Sequence, residues 1–139
     1  MSENDMQSLR ILIVDDAEGQ RFILRNIMME MGYQPVLAES GEQALKVIPR
    51  CNPQMILLDV SMPEMDGFEV CRRLKENPDT KDIPVLFISA FEDAEEIAKV
   101  FETGGEDYVT KPFVPEVIKA RVGVRMRLAE AMKKLSELE

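Results

Sequence analysis

Apolar residues along this chain gather into short unbroken runs instead of alternating with polar ones. Ile11–Val14, Met55–Leu58 and Val85–Ile88 each hold four in a row, the pattern of strands buried on both faces of a parallel sheet. Between the runs the apolar period lengthens to that of a helix. Residues Gln20–Met31 place Ile23, Leu24, Ile27, Met28 and Met31 on one face, and Gly32 follows as a stop. Ser40-Gly41-Glu42-Gln43 has the spacing of a capping box and opens a second helix, to Arg50. Asp66, with Glu69 three positions on, caps a third over Gly67–Asn77, which Pro78 ends. Glu92–Thr103 reads as a fourth helix closed by Gly104-Gly105, and helical spacing returns from Val114 almost to the C-terminus. Strands over Arg10–Val14, Val36–Ala38, Met55–Leu58, Val85–Ile88 and Asp107–Val109 complete the count. Five strands alternating with five helices predict an α/β domain, a parallel sheet with helices on both faces.

Each buried run stops at a chemically active side chain. The first runs into Asp15-Asp16, the second into Asp59 and the third into Ser89, while Tyr108-Val109-Thr110 leads into Lys111-Pro112. Open parallel sheets collect their chemistry at the carboxyl ends of the strands. Three carboxylates, a hydroxyl and an ammonium therefore converge, which makes a site for a divalent cation and a phosphoryl group, with Asp59 as acceptor. Clustered carboxylates raise one another's pKa unless something compensates. A magnesium ion and Lys111 would bring the formal charge to zero, and magnesium accepts a few carboxylates plus water and substrate oxygens. Blander readings stand beside these: Asp15-Asp16 as a polar helix-capping turn, Ser89 as an ordinary strand end, Lys111-Pro112 as an exposed turn, Tyr108 as a half-buried aromatic.

Composition narrows the classes. At 139 residues the chain fits one compact domain, divided as a disordered tail over 1–8, the domain over 9–128, and a helical extension or linker over 129–139. A net charge of −9 argues against direct nucleic-acid binding, which needs phosphate-neutralising cations. No apolar stretch approaches the ~20 residues of a membrane helix, and Met1-Ser2-Glu3-Asn4-Asp5 lacks a secretory pattern, so the expected location is cytoplasmic. Cys51 and Cys71 are expected unpaired. The chain has no histidine, so any phosphohistidine donor comes from outside it.

At this point the residues resemble a known family. Ile13-Val14-Asp15-Asp16, Leu58-Asp59-Val60-Ser61-Met62-Pro63 with Met65-Asp66-Gly67, Ser89-Ala90, and Tyr108-Val109-Thr110-Lys111-Pro112-Phe113 together resemble the receiver domain of two-component response regulators, across about residues 9–128. The resemblance implies a flavodoxin-like sheet of order 2-1-3-4-5 and a phosphoryl switch, not an enzyme beyond slow self-catalysed phosphorylation and dephosphorylation. It implies that Asp59 accepts the phosphoryl group from a sensor histidine kinase or a histidine phosphotransfer protein, with Mg²⁺ required and Mn²⁺ able to substitute. Asp16 would bind the metal directly, Asp15 largely through water, and Ser61 through its backbone carbonyl. Lys111 and Ser89 would bind phosphoryl oxygens, Tyr108 would be the switch aromatic, and Lys111-Pro112 would be cis. Ser61 and Phe91 would tune the lifetime of the acyl phosphate. The switched face, built from the fourth helix, fifth strand and fifth helix, would control an output domain or partner protein.

Other classes share parts of this set. A magnesium-dependent phosphohydrolase with an aspartyl-phosphate intermediate usually carries a second Asp two residues after its nucleophile; Ser61 stands there. A receiver-like binding module without phosphorylation would not need the full set, and a flavodoxin-type protein would avoid carboxylates near an anionic flavin. The acidic run Glu92–Glu96 reads as a solvated first helical turn, and Lys119, Arg121, Arg125 and Arg127 as a solvated basic face; the two could instead form a dimer face. Val117, Val124, Leu128, Ala131, Leu135 and Leu138 follow coiled-coil spacing with Arg121 interrupting. The seam either frays beyond Leu128, or pairs with a second copy (more strongly on phosphorylation), or leads to an output domain.

Overall fold

The computed structural model describes residues 9–90 and 93–138. The expected tail over 1–8, Phe91, Glu92 and Glu139 lie outside the described residues. Strands β1 (Arg10–Val14), β2 (Gln34–Ala38), β3 (Met55–Asp59), β4 (Val85–Ser89) and β5 (Asp107–Thr110) alternate with helices α1 (Glu18–Glu30), α2 (Gly41–Cys51), α3 (Gly67–Glu76), α4 (Ala94–Glu102) and α5 (Pro115–Leu138). The strands form one sheet in the order β2-β1-β3-β4-β5, with every neighbouring pair parallel. This is the flavodoxin-like order that the resemblance implies.

The unbroken apolar runs have a direct cause in the pleat, because successive side chains leave a strand on opposite faces. On one face Leu12, Val14, Ile56, Leu58, Val85 and Phe87 pack under Ala44 and Ile48 of α2, Phe68 and Leu74 of α3, and Val100 of α4. On the other, Ile11, Ile13, Leu57, Leu86 and Ile88 pack under Leu24 and Met28 of α1 and Ile118, Val122 and Met126 of α5. Each such side chain contributes about 1.5–3 kcal/mol by leaving water. A strand polar on one face would leave one of these two layers without a core.

Several boundaries differ from the sequence reading, each for a physical reason. The helix α1 starts at Glu18, two residues earlier than expected, and its N-cap Ala17 has no capping side chain to mark the start. Ile23 is 46% exposed, because the buried positions are Leu24, Ile27 and Met28 and the preceding residue is turned about 100° away. The strand β2 begins at Gln34 and includes Pro35; a sheet edge tolerates proline, and β2 is such an edge. The helix α4 begins at Ala94 instead of Glu92, since Asp93 stands outside it as the cap and accepts from the Glu96 amide. Ser40 and Asp66 cap α2 and α3 as expected, accepting from Gln43 and Glu69. Cys51 and Cys71 are free thiols. Among the described residues no helix is long and apolar enough to cross a membrane.

At 24 residues, α5 is about 36 Å long, yet its last buried residue is Met126. Beyond that point the helix rests on little of the core. Removing residues 129–139 should therefore change the unfolding free energy by no more than about 0.5 kcal/mol. Ile118→Ala, on the same helix but 1% exposed, should cost about 2–5 kcal/mol. Urea denaturation of the two variants beside the parent checks both expectations.

Candidate functional site

Register brings the run-ending residues together. Val14 pairs with Leu58, Asp59 with Ile88, and Ser89 with Thr110, so Asp15, Asp59, Ser89 and Lys111 lie side by side at one end of four adjacent strands. Carboxylate oxygens of Asp15, Asp16 and Asp59 lie within 4.8 Å of one another. Asp15 and Asp59 are buried and Asp16 is exposed. Lys111 Nζ sits 3.3 Å from Asp59 Oδ1, and the Ser61 amide donates to the same oxygen at 3.2 Å. The lysine is anchored from behind: its amide donates to the Ser89 carbonyl at 2.9 Å, and the peptide to Pro112 is cis, as the resemblance implies.

Asp15 is held on three sides. Its amide donates to the Ala38 carbonyl at 3.2 Å, its Oδ1 accepts from the Ala17 amide at 2.9 Å, and its carbonyl accepts from Arg21 Nη1 at 2.6 Å. Its Oδ2 is buried without a hydrogen-bond partner. An unpartnered buried carboxylate oxygen beside two other carboxylates is the donor set a hard divalent cation takes, directly or through water. Burial pushes the Asp15 carboxyl up to about 6, with the neighbouring Asp59 charge adding to the shift and the Ala17 amide and Lys111 opposing it.

The remaining expected residues are distributed around this centre. Ser89 is buried at the end of β4, Ser61 is exposed two residues beyond Asp59, and Phe91 lies outside the described residues. Tyr108 is half-buried on β5, in edge-on contact with Phe101 at 6.3 Å and with the Arg121 guanidinium 5.8 Å from its ring centroid. It lines a hollow of about 330 Å³ with Ile97, Val117 and Arg121. Three of the four basic residues expected on a solvated face of α5 have partners. Lys119 pairs with Glu30 at 2.8 Å, Arg121 with Asp107 at 2.7 Å, and Arg125 donates to the Glu106 carbonyl at 2.8 Å.

Two contributors escape sequence reasoning. Gly67 opens α3 against the end of β3: its amide donates to the Val60 carbonyl at 2.9 Å. A Cβ there would overlap the Asp59 carbonyl oxygen and lie 3.0 Å from Val60 Cα. Asp66-Gly67 marks a helix start, but nothing in the sequence says how closely it meets Asp59. Arg21 is the other, and a helical arginine six residues from Asp15 carries no signal of what it touches.

The chain matches the response regulator receiver domain family over residues 11–123. Response regulator MprA of Mycobacterium leprae is 39% identical over 119 residues, 86% of this chain and 51% of that protein. Response regulator PleD of Caulobacter vibrioides is 39% identical over 132 residues, 95% of this chain and 29% of that protein. The chain thus spans about half the length of the curated relatives it matches, or less. Among solved structures, the signal receiver domain of a histidine kinase from Syntrophus aciditrophicus superposes with a TM-score of 0.79 at 36% identity, covering 85% of this chain and 89% of that one.

The state of Asp15 has a measurable cost in the metal-free protein. Its folded pKa lies above its unfolded value near 3.8, so below about pH 4 both states hold the proton and nothing is lost. Between pH 4 and 6 the unfolded chain releases the proton first, and stability falls as pH rises. Above about 6 the full cost is present, up to about 3 kcal/mol at 1.36 kcal/mol per pH unit. Asp15→Asn should therefore be more stable than the parent at pH 7 in a chelator, and the difference should vanish towards pH 4. Urea titrations at both pH values read this.

Proposed function

The chain belongs to the family of response regulator receiver domains, and from that premise we propose that it is a phosphorylation-driven switch whose acceptor is Asp59. The observation that carries the reading is the pairing of Lys111 with a buried Asp59 beside two further carboxylates. The donor is a phosphohistidine on a sensor histidine kinase or histidine phosphotransfer protein, met in the cytoplasm. Asp15, Asp16, Asp59 and the Ser61 carbonyl would hold Mg²⁺, or Mn²⁺ in its place, Asp16 directly and Asp15 largely through water. When bound, the ion supplies positive charge to the carboxylates and to the incoming phosphoryl oxygens.

The chain's own residues do the rest. An Asp59 carboxylate oxygen forms a bond to phosphorus while the phosphorus–nitrogen bond of the phosphohistidine breaks. The imidazole nitrogen leaves with the electron pair and any proton it needs to stay neutral is exchanged with water, while Asp59, reacting as the carboxylate, moves none. Lys111 offsets charge on one phosphoryl oxygen and the Ser89 hydroxyl donates to another. Ser61 and Phe91, each two residues past a site residue, set how readily water reaches the acyl phosphate.

Phosphorylation adds up to about two negative charges and three acceptor oxygens. Charge-assisted bonds from Ser89 and from Lys111, which exchanges its Asp59 oxygen for a phosphoryl one, total at most about 3–6 kcal/mol, and inverting a 1:99 equilibrium takes about 5.5 kcal/mol. Both bonds are thus needed. Movement of Ser89 towards the phosphoryl group lets Tyr108 turn inward, away from Phe101 and Arg121. That changes the face of α4, β5 and α5, where Phe101, Val117 and Val124 are exposed, for an output domain, a partner protein or a second copy of this chain.

Intact mass after treatment with a small acyl phosphate should show one added phosphoryl group on the parent with Mg²⁺ and none with chelator or on Asp59→Asn. Equal labelling of the two proteins would remove Asp59 from its role. Ser89→Ala should accept the group yet switch incompletely, read as smaller amide shifts around α4 and Tyr108 than in the phosphorylated parent. Full parental shifts in that variant would sink the switching scheme.

A further inference from the structure

We propose that Arg21 is a positioning residue for the metal site, fixing the peptide that joins its two consecutive carboxylates; this rests on the reading of Asp15 and Asp16 as metal ligands. The argument starts where β1 stops. Asp15 follows the last residue of β1, and its amide still reaches β2 through the Ala38 carbonyl. Its own carbonyl has left the strand ladder, and a carbonyl turned away from water needs a donor. Arg21, one turn into α1, supplies it from Nη1 at 2.6 Å.

The arginine is itself held in place. Its side chain is 11% exposed, and its amide donates to the Ala17 carbonyl at 3.0 Å within the helix. Its other nearby acid, Glu39, is 3.8 Å away and 73% exposed, so that exposed pairing contributes little. The bond to Asp15 is the short one. It fixes the carbonyl of the Asp15–Asp16 peptide, and the plane of that peptide sets where both side chains leave the backbone. The Ala17 amide then fixes Asp15 Oδ1, so the residue is clamped at its backbone carbonyl and at one carboxylate oxygen, with Oδ2 left over. The same guanidinium puts a cation behind the acid cluster without occupying any carboxylate oxygen that a metal would use. A lysine or arginine paired directly with Asp15 would compete with the ion; one bonded to its carbonyl does not.

Outer groups that orient metal ligands typically cost 10–100-fold in affinity when removed. Arg21→Met, which keeps the apolar stem and loses the donor, should therefore weaken Mn²⁺ binding about tenfold or more, measured as free Mn²⁺ by electron paramagnetic resonance. Arg25→Met removes the same charge from the same helix. Among the described residues Arg25 contacts Asn26 and the Phe22 ring, neither of them in the site, and its loss should leave the dissociation constant near the parent value. Circular dichroism melts in chelator show whether each variant is folded. Should Arg21→Met not fold, Arg21→Gln, polar but too short to reach the carbonyl, is titrated in its place and separates the same outcomes.

A folded Arg21 variant that binds Mn²⁺ like the parent overturns the inference, as does equal weakening by Arg25→Met, which would make the effect one of bulk charge. A parent protein that binds no Mn²⁺ overturns instead the function proposed for the site.

Discussion

Everything in this molecule is arranged around a charge imbalance. Three carboxylates share one end of the sheet with a single lysine, and two of the three are buried. Like charges in a low-dielectric setting repel strongly, and burial alone disfavours ionised carboxylates. The fold offsets this with fixed partial charges more than with countercharges: the amides of Ala17 and Ser61 on carboxylate oxygens, and Lys111 across the gap. What these donors do not compensate is negative charge left at one end of the sheet. The sheet order supplies the geometry, since β1, β3, β4 and β5 are neighbours and their ends lie side by side.

The opposite end of the sheet behaves differently. There Glu106 accepts from Lys75 at 3.2 Å and from the Val85 amide at 2.6 Å, while Lys75 also donates to the carbonyls of Lys81 and Ile83 at 3.0 and 2.9 Å. Arg125 reaches over from α5 to the Glu106 carbonyl. Each contact adds little by itself, as exposed or half-exposed polar contacts do. Together they join α3, the starts of β4 and β5, and α5 at the end away from the site. One end of the domain pairs its acid and base, and the other leaves a carboxylate oxygen of Asp15 over.

Most of this was legible in the chain because core and chemistry use the same signal. Unbroken apolar runs marked β1, β3 and β4, and the residues that end them are the ones the fold brings together. Legibility failed where the deciding contact is tertiary. The strand β2 packs less completely than the central strands, so its run is broken by Gln34 and Pro35 and read short. The helix α1 starts at a residue with no capping side chain, which removes the usual marker. Asp66-Gly67 marks a helix start but not the carbonyl that Gly67 meets, and nothing in the chain sets Arg21 apart. The cations of α5 looked solvated, because Glu30, Glu106 and Asp107 are distant in sequence.

Pro35 also guards the sheet. The Gln34 amide points inward, donating to the Leu9 carbonyl of the preceding segment at 3.0 Å. Amides alternate in direction along a strand, so position 35 is where an amide would face outward from the β2 edge. A proline there offers no hydrogen to an incoming strand, and such edges resist pairing with other chains. A chain whose buried runs are as apolar as these is prone to β-aggregation if its edge is left open. Replacing Pro35 would restore an open docking row at the margin of the sheet, so this residue, remote from every charged group in the site, bears on whether the molecule stays dispersed long enough to signal.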